Sequence, residues 1–92
     1  MKFEEVNCVL CGSPAAFSFT DYENRKYYEC ESNSCGNYEI SRRAENDVIE
    51  NKQQKIALFA QAKLCKGKGK ILEVIYSNKG ILEATCKDVN NI

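Results

Sequence analysis

Four cysteines limit what this chain can fold into more than any other feature. Cys8 and Cys11 enclose two residues, Cys30 and Cys35 enclose four, and eighteen residues separate the two pairs. A tight turn can aim two thiolates at one point while its backbone N–H groups hydrogen-bond to the sulfurs. Two such turns supply the four soft ligands of a tetrahedral ion such as Zn²⁺. Glycine follows the second cysteine of each pair, at Gly12 and Gly36. It lets the backbone reach positive φ without a Cβ clash. Eighteen residues are enough for a hairpin that runs out and back to the same ion. We therefore read a structural zinc site on Cys8, Cys11, Cys30 and Cys35. The chain contains no histidine, so an open catalytic zinc shell is not expected. Disulfide pairing, an unbound thiol cluster and iron in place of zinc are the alternatives.

Ninety-two residues make one small domain that benefits from such a staple. The opening MKFEEVNC has neither the basic start nor the apolar run of a signal peptide. No segment is apolar for long enough to span a membrane. The expected setting is reducing and cytoplasmic, where cysteines bind metal more often than they pair. The net charge is zero but divided. Residues 1–40 carry seven acidic against three basic residues, a net −4, and residues 41–92 carry ten basic against six acidic, a net +4.

The expected fold class is α+β. A small zinc-ribbon β-hairpin is followed by one or two helices and a C-terminal β-hairpin. Residues 1–41 form the ribbon, and residues 42–92 form a helix-plus-hairpin extension packed with it. Ala15–Thr20 alternates as a strand does, and Arg25–Glu29 returns as a second strand. Asp21–Asn24 is the turn between them, and Asn37–Ile40 adds a third short strand. Ser41 is a helix N-cap. Ala44, Val48 and Ile49 make the first apolar strip, the polar run NKQQK interrupts it, and Ile56, Phe59, Ala60 and Leu64 resume it. This pattern fits one helix with a solvated middle or two helices broken near Asn51. Gly67 and Gly69 end the helix. Ile71–Tyr76 and Ile81–Cys86 read as a hairpin around Ser77–Gly80, although Ile71, Leu72 and Ile75 also suit a helix, with a frayed tail from Asp88.

Cys65 and Cys86 follow apolar neighbours and are expected to fill the core as buried thiols, ahead of a reactive role or a mutual disulfide. Phe17, Phe19, Tyr27, Tyr28 and Tyr38 are expected to pack the ribbon rather than stack on bases. Lys63, Lys66, Lys68 and Lys70 cluster at the helix end, where cations suit the negative end of the helix dipole. With Arg42 and Arg43 they are the candidate contacts for a partner or for nucleic acid.

The segments CGSPA at Cys11–Ala15 and YYECESNSCG at Tyr27–Gly36 resemble the Ogr/Delta group of phage late-gene transcription activators. The likeness covers residues 8–40, with Asn33 one place later than that group's asparagine. Similar ribbons occur in transposases, antitoxins and ribosomal proteins. The resemblance implies a zinc ribbon with the same four ligands, and a role in transcription. A zinc-loaded ribbon gains about −2 in charge from four thiolates and one Zn²⁺, which disfavours phosphate contact. No nucleophile–base set or phosphate loop is present. The expectation is a non-enzymatic regulatory or adaptor protein, bacterial or phage, that binds a protein partner and no membrane. The alternative is a nucleic-acid-binding regulator using the basic residues between 42 and 70.

Overall fold

The structure, a computed structural model, describes residues 3–20, 24–30 and 35–88. It is α+β, with two helices and one six-stranded sheet. The elements in order are β1 (Glu4–Asn7), β2 (Pro14–Thr20), β3 (Arg25–Cys30), β4 (Asn37–Ser41), α1 (Arg42–Glu50), α2 (Lys52–Gly67), β5 (Lys70–Tyr76) and β6 (Leu82–Asp88). Of the expected turn Asp21–Asn24, only Asn24 is among the described residues. The expected tail beyond Asp88 lies outside them, and Asp88 itself closes β6.

The strands lie in sequence order. Neighbours are antiparallel except β4 and β5, which are parallel. Parallel neighbours need a crossover connection, and α1 with α2 provides it. The N-terminal and C-terminal strands thereby form a single sheet across the boundary at residue 41. β1 is a strand that the sequence pattern did not reveal, because FEEVN has only a weak alternation.

The register aligns Phe17, Tyr28, Tyr38, Leu72 and Cys86 in one row across five strands. This row lines the face that the helices cover. Tyr28 and Tyr38 stack with ring centroids 4.9 Å apart, and Phe17 lies 5.6 Å from Tyr28. Tyr38, Ile40, Leu72 and Val74 are buried in this face, with Ala44 and Val48 of α1. The aromatic residues do pack the sheet, although Phe19 stays partly exposed.

Asn51 divides the helical stretch. Its backbone N–H donates to the Val48 carbonyl at 3.1 Å, and its side chain accepts the Gln54 N–H at 3.0 Å. One residue thus ends α1 and caps α2. Ser41 caps α1 by accepting the Ala44 N–H at 3.2 Å. Gly69, with φ of 72°, takes the left-handed position after α2, as the sequence leads one to expect.

Two expectations need correction. The first apolar strip does bury Ala44 and Val48, but Ile49 and most of the α2 strip do not face the core as read. Ile49, Ile56 and Leu64 are exposed, and α2 buries Leu58, Ala62 and Cys65 instead. The two candidate faces of α2 carry similar apolar content, so periodicity could not choose between them. The second correction concerns Cys65 and Cys86, which form a disulfide rather than two core thiols. Cys65 sits on the inner face of α2, and Cys86 sits at the helix-covered end of the tyrosine row. Their Cα atoms are 5.4 Å apart, within the span a disulfide bridges.

The opposite face of the sheet carries a buried ion network. Glu39, only 3% exposed, accepts hydrogen bonds from Lys87 at 2.7 Å, Arg25 at 3.0 Å and Thr20 at 3.1 Å. Lys87 and Arg25 also reach Glu73, each at 3.1 Å. Burial pushes the Glu39 carboxyl up, but these donors outweigh it and hold it below the usual carboxylate range.

A carboxyl depressed in the fold contributes stability above its unfolded pKa and loses it as pH falls through the folded value. Stability should therefore drop below about pH 4. Glu39→Gln should cost about 3 kcal/mol at neutral pH and flatten the acid limb of a denaturation-versus-pH series. An unchanged acid limb would remove Glu39 from this role. The bridge gives a second expectation. Unreduced protein should weigh about 2 Da less than the all-thiol chain, and Cys86→Ser should cost about 3 kcal/mol in denaturant melts. A free-thiol count of six would contradict it.

Candidate metal centre

The four cysteines lie at one end of the sheet because of its topology. Cys8 follows the end of β1, and Cys11 precedes β2. Cys30 ends β3, and Cys35 precedes β4. Antiparallel pairing brings all four of those strand termini to the same end. The first turn is closed by the Gly12 N–H donating to the Cys8 carbonyl at 2.9 Å and the Cys8 N–H donating to the Ser13 carbonyl at 2.7 Å. Gly12 and Gly36 have φ of 77° and 71°, the left-handed conformation that glycine favours.

All four Sγ atoms lie within 4.8 Å of one another. Cys8 and Cys35 are 3.7 Å apart, and Cys11 and Cys30 are 3.4 Å apart. A tetrahedral ion with bonds of about 2.3 Å to sulfur sets its ligands about 3.8 Å apart. The donor set and its spacing therefore fit a metal ion, and these four residues could hold one. Cys8 and Cys35 are buried, and Cys11 and Cys30 are partly exposed.

The surroundings favour anionic sulfur at Cys8. The Tyr38 hydroxyl accepts the Val9 N–H at 3.1 Å, which leaves its own proton for Cys8 Sγ, 3.2 Å away. The Cys8 thiol is pulled down from its ordinary value. The Cys35 hydrogen bond is the chief cause and acts against burial, with help from Tyr38 and from the backbone of Cys11 and Leu10. Cys35 is pushed up by the hydrogen bond with Cys8, by burial, and by the negative charge of Cys8, Cys30 and Cys11. Burial also raises the Tyr38 and Tyr28 hydroxyls. Both rings therefore stay neutral donors, Tyr28 to Glu45 and Tyr38 to Cys8. Sequence reasoning assigned Tyr38 to packing and missed this contact. Its place three residues after Cys35, on the helix-covered face, is the signal that could have revealed it.

The six basic candidates do not join this site. Arg42 and Arg43 open α1 at the far end of β4, and both are exposed. Arg43 lies over the Tyr76 ring, 4.8 Å from its centroid. Lys70 pairs with Asp88 at 3.8 Å. Lys63, Lys66 and Lys68 are exposed at the end of α2. Of these, Lys66 comes nearest the metal centre, because its methylenes lie beside Gly36.

Comparison with known proteins gave no match to any family model, curated protein or solved structure.

Tyr38→Phe should leave the Val9 N–H unpaired and the Cys8 sulfur without its donor. We expect about 10- to 100-fold weaker metal binding in a chelator competition, and about 1–3 kcal/mol lost in stability. Affinity equal to the parent would show that the hydroxyl does not act on the site. Gly36→Ala combines a strained positive φ with a Cβ only 2.9 Å from Lys66 Cδ. It should be the more damaging of the two glycine substitutions in thermal melts, because Gly12 has open space around its Cα.

Proposed function

We propose that this chain is a non-enzymatic, zinc-stapled binding module that engages a protein partner. The observation that carries the reading is the complete four-cysteine donor set at one end of the sheet. A tetrahedral set of four sulfurs suits zinc or iron. Four protein ligands leave a zinc ion no open position for substrate, which is the pattern of a structural site. Zinc then stabilises the fold instead of performing chemistry, because structural metal binding is folding free energy.

A protein target fits the charge distribution better than a phosphate backbone does. The metal-bearing half is acidic and gains further negative charge when loaded. Two of the basic candidates, Arg43 and Lys70, already have partners within the chain. The resemblance of residues 8–40 to phage late-gene activators suggests transcription or a phage–host contest as the setting. A reducing cytoplasm keeps the metal thiols available. No helix among the described residues is long and apolar enough to cross a membrane.

The test is affinity capture with zinc-loaded protein, before and after nuclease treatment, alongside gel shifts at low salt. A partner protein retained after nuclease, with no shift of duplex DNA or RNA, is the expected result. A salt-sensitive shift weakened by Lys66→Ala with Lys68→Ala would replace this reading with nucleic-acid binding.

A further inference from the structure

α2 turns an apolar, uniformly basic face outward. Ile56 and Leu64 are each 65% exposed, and Ala57 and Ala60 between them are also exposed. Positions 56, 60 and 64 follow one line along the helix, about 12 Å long at 1.5 Å per residue. Scattered exposed apolar residues are ordinary, but an aligned stripe on a helix is the anchor pattern of helix recognition.

Charge narrows the choice of occupant. Residues 52–67 contain Lys52, Lys55, Lys63 and Lys66 and no acidic residue. Lys52, Lys55 and Lys63 form no ion pair with a described residue. Lys52 and Lys55 also stand in or beside the first turn, which has no acidic residue. Cations there oppose the helix dipole, so helix stability does not explain their position. A carboxylate from outside would satisfy both the lysines and the helix start.

Resting on the protein-binding reading above, we propose that this face docks an acidic amphipathic helix of the partner. Its apolar residues lie against Ile56, Ala60 and Leu64, and its carboxylates lie over Lys52, Lys55 and Lys63. Other occupants fit less well. A second copy packed α2 to α2 would bring together two helices with four lysines each. Nucleic acid would set phosphates against Ile56 and Leu64. An anionic membrane would meet a face without an outward aromatic anchor, since Phe59 is partly buried against the core, and with Glu50 exposed at the end of α1.

The test uses the full metal-loaded chain and fluorescence anisotropy. One probe is a labelled synthetic helix with leucines on one face and glutamates on its flanks, and the control is its scramble. Saturable binding at least about 10-fold tighter than the scramble is expected. Ile56→Ser with Leu64→Ser should weaken it by a similar factor, with circular dichroism and melting unchanged, while Ile81→Ser has no effect. Should the serine pair fail to fold, Lys52→Glu with Lys63→Glu serves instead, and it should shift preference to a lysine version of the peptide. Equal binding of peptide and scramble, or insensitivity to these substitutions, would overturn the proposal. So would tighter binding of phosphatidylserine vesicles or duplex DNA through the same residues, or a dimer that the same substitutions break. If affinity capture retains its partner with the serine pair in place, this face is wrong and the protein-binding reading stands. If capture yields no partner at all, that reading falls as well.

Discussion

Four sulfur atoms held within 4.8 Å of one another repel strongly once ionised, and the rest of the structure answers to that constraint. A divalent cation held there would turn the repulsion into attraction and tie together the ends of β1 and β3 and the starts of β2 and β4. A core as small as this one gains from such an anchor. From the sulfurs the tyrosine row runs through Tyr28 and Tyr38 to Leu72 of β5. The Tyr38 ring belongs to the core and its hydroxyl to the site, which couples packing to metal affinity in a single residue.

The second anchor lies at the other side of the sheet. Cys65–Cys86 ties α2 to β6 across a loop that contains β5. In chain-entropy terms such a crosslink restricts the unfolded state most where little else does, and the C-terminal hairpin is otherwise an edge. With the sulfur cluster on one side and the bridge on the other, the parallel β4–β5 pair sits between the two. The Glu39 network supports the same strands from the opposite face, through Lys87 of β6 and Arg25 of β3.

Much of this was legible in the sequence. The cysteine spacing with Gly12 and Gly36 marked the gathered thiols, Ser41 marked the start of α1, and Gly69 marked the end of α2. The alternation in Phe17–Phe19 marked a strand, and the turn Ser77–Gly80 between two apolar runs marked the C-terminal hairpin. The order of packing was not legible. Which face of α2 turns inward depends on the crossover between β4 and β5, and no local pattern encodes it. Pairing of Cys65 with Cys86 depends on that same choice of face. β1 carries too few apolar residues to stand out, and Tyr38 reads as an ordinary strand aromatic until the register places it beside Cys8.

X-ray absorption at the zinc edge, on protein purified without added metal, tests the central claim most directly. One zinc per chain, surrounded by four sulfurs at about 2.3 Å, is the required result. A chain without metal, with Cys8, Cys11, Cys30 and Cys35 joined in disulfides, would contradict it and make this end of the sheet a covalent framework instead.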